Sequence, residues 1–149
     1  MYKHILVSTD GSKLSLKAVK TATRLARRMN ARITALHVIE PYKAPLYDES
    51  MSAFRAIISP ADYMKSETNR AGKLLGRVKA AAAAEEVECD TLSATHDRPW
   101  EAIIDAARSR KCDLIVMASH GRKGLAGLLL GSETHKVLTH TSTPVLVCR

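Results

Sequence analysis

Nowhere in its 149 residues does this sequence run apolar for the roughly 20 positions that a membrane-crossing helix needs. A signal-peptide pattern is missing as well, because Met1-Tyr2-Lys3-His4 leads straight into a strand-like run. The three cysteines, Cys89, Cys112 and Cys148, are odd in number. They show neither CxxC spacing nor histidines at metal-ligand intervals, which argues against a disulfide framework and a zinc site. No carboxylate cluster suited to a metal stands out, and apart from the alanine run ending at Ala84 there is no low-complexity segment or internal repeat. These absences predict a soluble protein kept in a reducing cytoplasm, with no membrane association.

What is present suits a single domain spanning residues 1–149. A hydrophobic fraction of 46% at this length is enough to bury one sizeable core. The formal charge of +8 would attract an anionic partner, but Lys and Arg are spread along the chain instead of forming a basic tail. Nucleic acid is therefore not an expected partner. On the first helical segment Lys13, Lys17, Lys20, Arg24 and Arg27 read as a solvated outer face.

Hydrophobic periodicity gives the order of elements. HILVSTD is a short β-branched run that ends in a polar turn, and Ser12 can cap the helix that follows. That helix carries Leu14, Ala18, Val19, Ala22, Leu25, Ala26 and Met29 on one face and ends near Asn30. RITALHVIE is the second strand, stopped by Pro41. Pro41 to Pro60 is too long for an ordinary connection and holds a potential helical turn in MSAFRAII. A long helix starts at Ala61, with Met64, Ala71, Leu74, Leu75, Val78 and Ala82 facing inward.

VECDTLSAT forms the third strand, and Pro99 opens the third helix with Trp100, Ile103, Ile104 and Ala107 buried. DLIVMAS is a continuous apolar strand of the kind covered on both faces. A last helix around Glu133 to Thr139 leads to PVLVC. Such alternation predicts an α/β fold, a doubly wound five-stranded parallel sheet with helices on both faces.

Ligands of such sheets sit beyond the carboxyl ends of the strands, where strand order reverses. The loops Ser8–Ser12 and Ser119–Ser132 are the candidates. The second holds Gly121, Gly124, Gly127 and Gly131 before a helix. Glycines let a backbone approach an anion, and a helix N-terminus adds partial positive charge; glycines also serve turns and close packing. The loop is neither a Walker P-loop nor a GxGxxG fingerprint. Asp10 suits hydroxyl recognition and equally an Asx turn. Arg122 and Lys123 could pair with phosphate or only with water. His120 has no nucleophile and supporting carboxylate beside it, so it reads as a loop-structuring residue.

Over its whole length the sequence resembles the universal stress protein family. KHILVSTDGS is similar to the family's opening strand and loop aspartate, and LHVIEP to its second strand. ASHGRKGLAGLLLGSETHKVLTHTSTPVLVCR is similar to the entire C-terminal third. The ATP-binding loop pattern G-x2-G-x9-G-[ST] falls on Ala118, Gly121, Gly131 and Ser132, with alanine in place of the first glycine.

The resemblance implies a Rossmann-like adenine-nucleotide fold that binds ATP, any Mg²⁺ arriving with the phosphates. It implies that Asp10 faces the ribose or adenine end and that the Val38 backbone reads the adenine edge. Met117 and Ala118 would contact the nucleotide at the end of the fourth strand, while Gly121, Gly131, Ser132 and Thr134 hold phosphates. A regulatory stress-response role and a homodimer joined through the last strand are implied too. The competing expectations are a slow ATPase and an interaction protein of the same fold without nucleotide.

Overall fold

The computed structural model describes residues 1–43, 58–121 and 130–149. Five strands form one parallel sheet: β1 (His4–Ser8), β2 (Arg32–Ile39), β3 (Cys89–Thr95), β4 (Leu114–Ala118) and β5 (Val145–Cys148). Their spatial order is β3-β2-β1-β4-β5, with Ile5 aligned on both Ile33 and Leu114. Four helices occur among the described residues, α1 (Lys13–Met29), α2 (Pro60–Ala84), α3 (Pro99–Ser109) and α4 (Ser132–His140).

Successive side chains of a strand point to opposite faces, so each central strand feeds two cores. Ile5, Val7, Ile33 and Val116 pack against Ala18, Ala22 and Ala26 of α1 and Leu75 and Val78 of α2. Leu6, Leu36, Ile115 and Met117 pack on the other face against Ile103 and Ala107 of α3 and Val137 of α4. This double burial is why β1 and β4 lack polar alternation. The fold is the doubly wound α/β arrangement that the alternating pattern predicts.

Local signals account for the helix ends. Ser12 caps α1 by accepting the Ser15 N–H at 3.2 Å. Asn30 ends the helix in the left-handed region (φ 52°), where its N–H meets the Ala26 and Arg27 carbonyls. Pro60 and Pro99 occupy first helical positions, where a missing N–H costs nothing. Helix α2 therefore begins one residue before Ala61, after a Ser59 cap that accepts the Asp62 N–H.

Two boundaries differ from the sequence pattern. Pairing of β3 begins at Cys89, because the Val87 N–H is spent on the Ala82 carbonyl at the end of α2. The inward face of α2 is Ala71, Leu75, Val78 and Ala82, while Met64 and Leu74 are only half buried. Most of the proposed turn in MSAFRAII lies outside the described residues, as do Arg122, Lys123, Gly124 and Gly127. Among the described residues no helix is long and apolar enough to cross a membrane.

Candidate functional site

Strands β1 and β4 are neighbours, yet the helices they feed leave to opposite faces, α1 to one and α4 to the other. A cleft results at their carboxyl ends, the switch point at which such sheets receive ligands. The two candidate loops therefore meet there.

Asp10 stands on the β1 side. Its Oδ1 accepts the Ser12 N–H at 2.9 Å, so the Asx-turn geometry is present. Its other oxygen, Oδ2, is turned across the cleft: a Cβ built on Gly121 would fall 2.6 Å from it. A carboxylate thus occupies the space that a side chain at position 121 would need. Thr9 is fixed beneath it, donating its N–H to Leu36 and sharing a 2.9 Å hydrogen bond with the Ser15 hydroxyl.

His37 completes this support, although nothing in its sequence context singles it out. Its Nδ1 lies 2.8 Å from the Thr9 carbonyl and the residue is buried. A carbonyl only accepts, so the proton sits on Nδ1. The ring thereby holds the peptide unit that leads directly into Asp10.

Val38 follows from the register. Ile33 gives its N–H to Glu88 and Ile39 accepts from His96, so odd positions of β2 bond toward β3. Arg32 and Leu36 bond toward β1. Val38 is the next even position, and β1 has already ended at Ser8, opposite Leu36. Its peptide edge is therefore directed to the space above β1.

On the β4 side the loop is pinned at its two ends. Gly131 donates its N–H to the Ser119 carbonyl at 2.7 Å, and Ser119 donates to the Cys148 carbonyl at 2.7 Å. Buried Thr134 donates its hydroxyl to the Ala118 carbonyl at 2.9 Å, tying the first turn of α4 to the strand end. A Cβ on Gly131 would meet the Ser119 oxygen and His120 Cα at 3.1 Å. The bareness of Gly131 thus serves loop closure, besides any approach to phosphate.

Helix α4 directs its N-terminus at the cleft with Ser132 exposed at its first position. Glu133 in the first turn would oppose an anion, but its carboxylate accepts the Trp100 N–H at 2.9 Å and pairs with Lys136 at 3.3 Å. Its charge is engaged at the α3 side. His120 is half buried, with Nδ1 3.1 Å from the Ser119 hydroxyl, in keeping with a loop-structuring residue. The buried thiol of Cys112 is pushed up to about 11 by desolvation, with Asp113 adding to it, which makes it a poor nucleophile. No group of three or more metal-ligating side chains occurs among the described residues.

The family model for universal stress proteins matches residues 1–149, the whole sequence. The chain belongs to the universal stress protein family. It is 32% identical to the universal stress protein YxiE of Bacillus subtilis over an alignment covering 100% of both chains. Its fold is similar to that of the universal stress protein UspA from Lactobacillus plantarum, with a TM-score of 0.81 and 26% identity over 99% of this chain and 98% of the other. A universal stress protein solved in complex with cAMP matches with a TM-score of 0.73 and 27% identity, covering 99% and 97% of the two chains.

In this universal stress protein Asp10 and Gly121 are in direct apposition, and the loop ends bring Ala118, Gly131 and Thr134 together. Two assigned residues sit deeper than a direct ligand contact by their side chains would require. Met117 is 4% exposed and packed in the core on the α3 and α4 face, and Thr134 is 2% exposed with its hydroxyl engaged. Thr134 ties the start of α4 to the end of β4 from beneath. Ala118 is also buried, and strand alternation sends its methyl to the α1 face with Val116.

Proposed function

We propose that this universal stress protein binds an adenine nucleotide, ATP in the first instance with any Mg²⁺ carried on its phosphates, and works as a regulator in the stress response. The apposition of the Asp10 carboxylate and the side-chain-free Gly121 across the β1–β4 cleft carries this reading. It sets a hydroxyl-accepting group beside the loop that leads into α4, whose helix N-terminus suits an anion. The cAMP complex of a family member 27% identical to this chain supports an adenine ligand.

In this reading Asp10 accepts hydrogen bonds from the ribose hydroxyls and the Val38 peptide edge reads the adenine. Gly121, Gly131 and Ser132 meet the phosphates at the N-terminus of α4. Met117, Ala118 and Thr134 hold the strand end and first helical turn in register. The protein acts in the cytoplasm as a homodimer joined through β5, an edge strand with Leu146 37% exposed.

A site that only cradles phosphate stabilises ground and transition states alike, so it lowers no barrier. Hydrolysis is accordingly slow, and turnover near the enzyme median of roughly 10 s⁻¹ would contradict the regulatory reading. The decisive experiment is to denature purified protein and identify the nucleotide released, alongside thermal unfolding with Mg-ATP. At a hundred times Kd, ATP adds about 2.7 kcal/mol of stability. An empty protein whose transition ATP leaves unmoved would refute the proposal.

A further inference from the structure

Helices α1 and α2 lie on the same face of the sheet without closing against each other. Helix α1 packs over β1 and β4 and α2 over β2 and β3, and between them runs a groove of about 540 Å³. Its apolar lining is Leu16 and Val19 from α1 with Leu74, Val78 and Ala81 from α2. Val19 and Val78 are buried at its base, while Leu16 is left 42% exposed.

The polar lining is predominantly cationic. Lys20 and Arg24 enter from α1, Arg70 and Arg77 from α2, against two acids, Asp10 and Glu85. Glu85 is engaged by Arg27 at 2.8 Å, outside the groove's lining, and Arg70 holds Glu67 at 3.4 Å. Lys20 and Arg24 make no ion pair among the described residues. With Glu85 paired to Arg27 and Arg70 to Glu67, Lys20, Arg24 and Arg77 stand against Asp10 and leave the groove positive beside an apolar floor.

From this combination we infer that the α1–α2 groove, which meets the β1–β4 cleft at Asp10, is a second ligand site for a small amphiphile with one apolar chain and one anionic head, a carboxylate or phosphate. The chain covers Leu16, Leu74 and Val78 and removes their apolar surface from water, which drives binding. The head pairs with Arg24 and Arg77, whose planar guanidinium groups suit bidentate recognition of either anion. The groove's volume lies within the several hundred Å³ common for small-molecule sites.

The test is calorimetric titration of the full chain, below micelle concentration, with dodecanoate, dodecyl phosphate, dodecanol and dodecyltrimethylammonium, with and without saturating ATP. Dodecanoate and dodecyl phosphate should bind at one site, with an affinity that ATP leaves unchanged; their ratio tells which head is preferred. The alcohol and the cation should bind about tenfold more weakly or not at all. Arg24→Glu/Arg77→Glu should weaken both anions by about tenfold or more. Ala81→Trp, at an exposed position of the lining, should plug the groove while leaving thermal unfolding and ATP binding intact. Equal binding of the cationic amphiphile, unchanged binding to Ala81→Trp, or no binding of either anion would overturn the inference. So would capture of polyglutamate in their place, because the groove would then dock an acidic polypeptide.

Discussion

The carboxylate of Asp10 fills the space above Gly121: a methyl group on residue 121 would lie 2.6 Å from Oδ2, well inside contact distance. Gly121→Ala should therefore push the carboxylate out of the cleft without touching either core. ATP affinity is expected to fall by about tenfold or more, since a displaced polar group forfeits hydrogen bonds worth about 1–3 kcal/mol. Titration of the variant and wild type checks this. Equal affinities would dissociate Asp10 from the nucleotide.

Gly131→Val tests the other end of the loop. Its Cβ would be pressed to 3.1 Å from the Ser119 oxygen and His120 Cα, both backbone atoms with little room to yield. The variant should lose stability by about 1–3 kcal/mol as an overpacked site does, and nucleotide binding with it. Urea unfolding separates the two losses. Full stability together with full binding would remove Gly131 from the site.

Thr134→Val deletes the hydroxyl that the buried Ala118 carbonyl accepts from. An acceptor left unsatisfied in a dry environment costs about 1–3 kcal/mol. Thr134→Ser keeps the donor and should recover most of this, with nucleotide affinity following the same order. If Val and Ser variants unfold at the same urea concentration, the bond is not what holds α4 to the strand.

His4 sets a pH dependence. It is buried at the start of β1, with Nε2 2.8 Å from the Thr34 hydroxyl, and Nδ1 has no hydrogen-bond partner among the described residues. Burial, and next Arg32, hold the imidazole below its ordinary value, against the opposing pull of the Arg110 backbone, Asp113 and Asp90. The folded chain then binds that proton less readily than the unfolded chain. Stability is fully present above the unfolded value of about 6.5 and is lost as pH falls through it toward the lower folded value. Denaturation midpoints at pH 7.5 and 5 should therefore differ more in wild type than in His4→Gln. Parallel curves would place the acid sensitivity elsewhere.

Association should run through β5. It is the last strand of the sheet, and one edge of its backbone has no neighbouring strand among the described residues. Neither charge nor proline blunts Val145, Leu146 and Val147. The mass in solution at micromolar concentration should be that of a dimer, and Val147→Lys should lower it to a monomer. A monomeric wild type, or a dimer indifferent to the change, would exclude this interface.

Much of this was legible in the residues themselves. Ser12, Pro99 and Asn30 announce helix ends through local chemistry, and the apolar runs at Ile5–Val7 and Leu114–Ala118 announce strands covered twice. Family resemblance brought Asp10 and Gly121 onto the same ligand, but their contact spans 111 positions and depends on β1 and β4 lying side by side. The supporting role of His37 was not legible, because it depends on β2 standing beside the end of β1. The engaged state of Thr134 was hidden for the same reason, since a hydroxyl at a helix start looks alike whether it faces phosphate or a strand carbonyl. Periodicity likewise does not separate Leu74, which lines the groove toward α1, from its neighbour Leu75, which packs into the core.

The central placement of β1 has a kinetic consequence. Lys3 and His4 donate their backbone N–H groups to the Asp113 carboxylate, and the first of these bonds spans 110 positions. The first strand to be synthesised must therefore wait for β4 before its second edge is occupied. Closing so long a loop is entropically unfavourable until the contacts it permits have formed. The cleft consequently cannot exist on a nascent chain that stops short of β4, and nucleotide cannot nucleate folding. In the proposed reading a nucleotide would arrive last and act as a latch, retarding the separation of β1 from β4 while leaving the rate of first assembly unchanged.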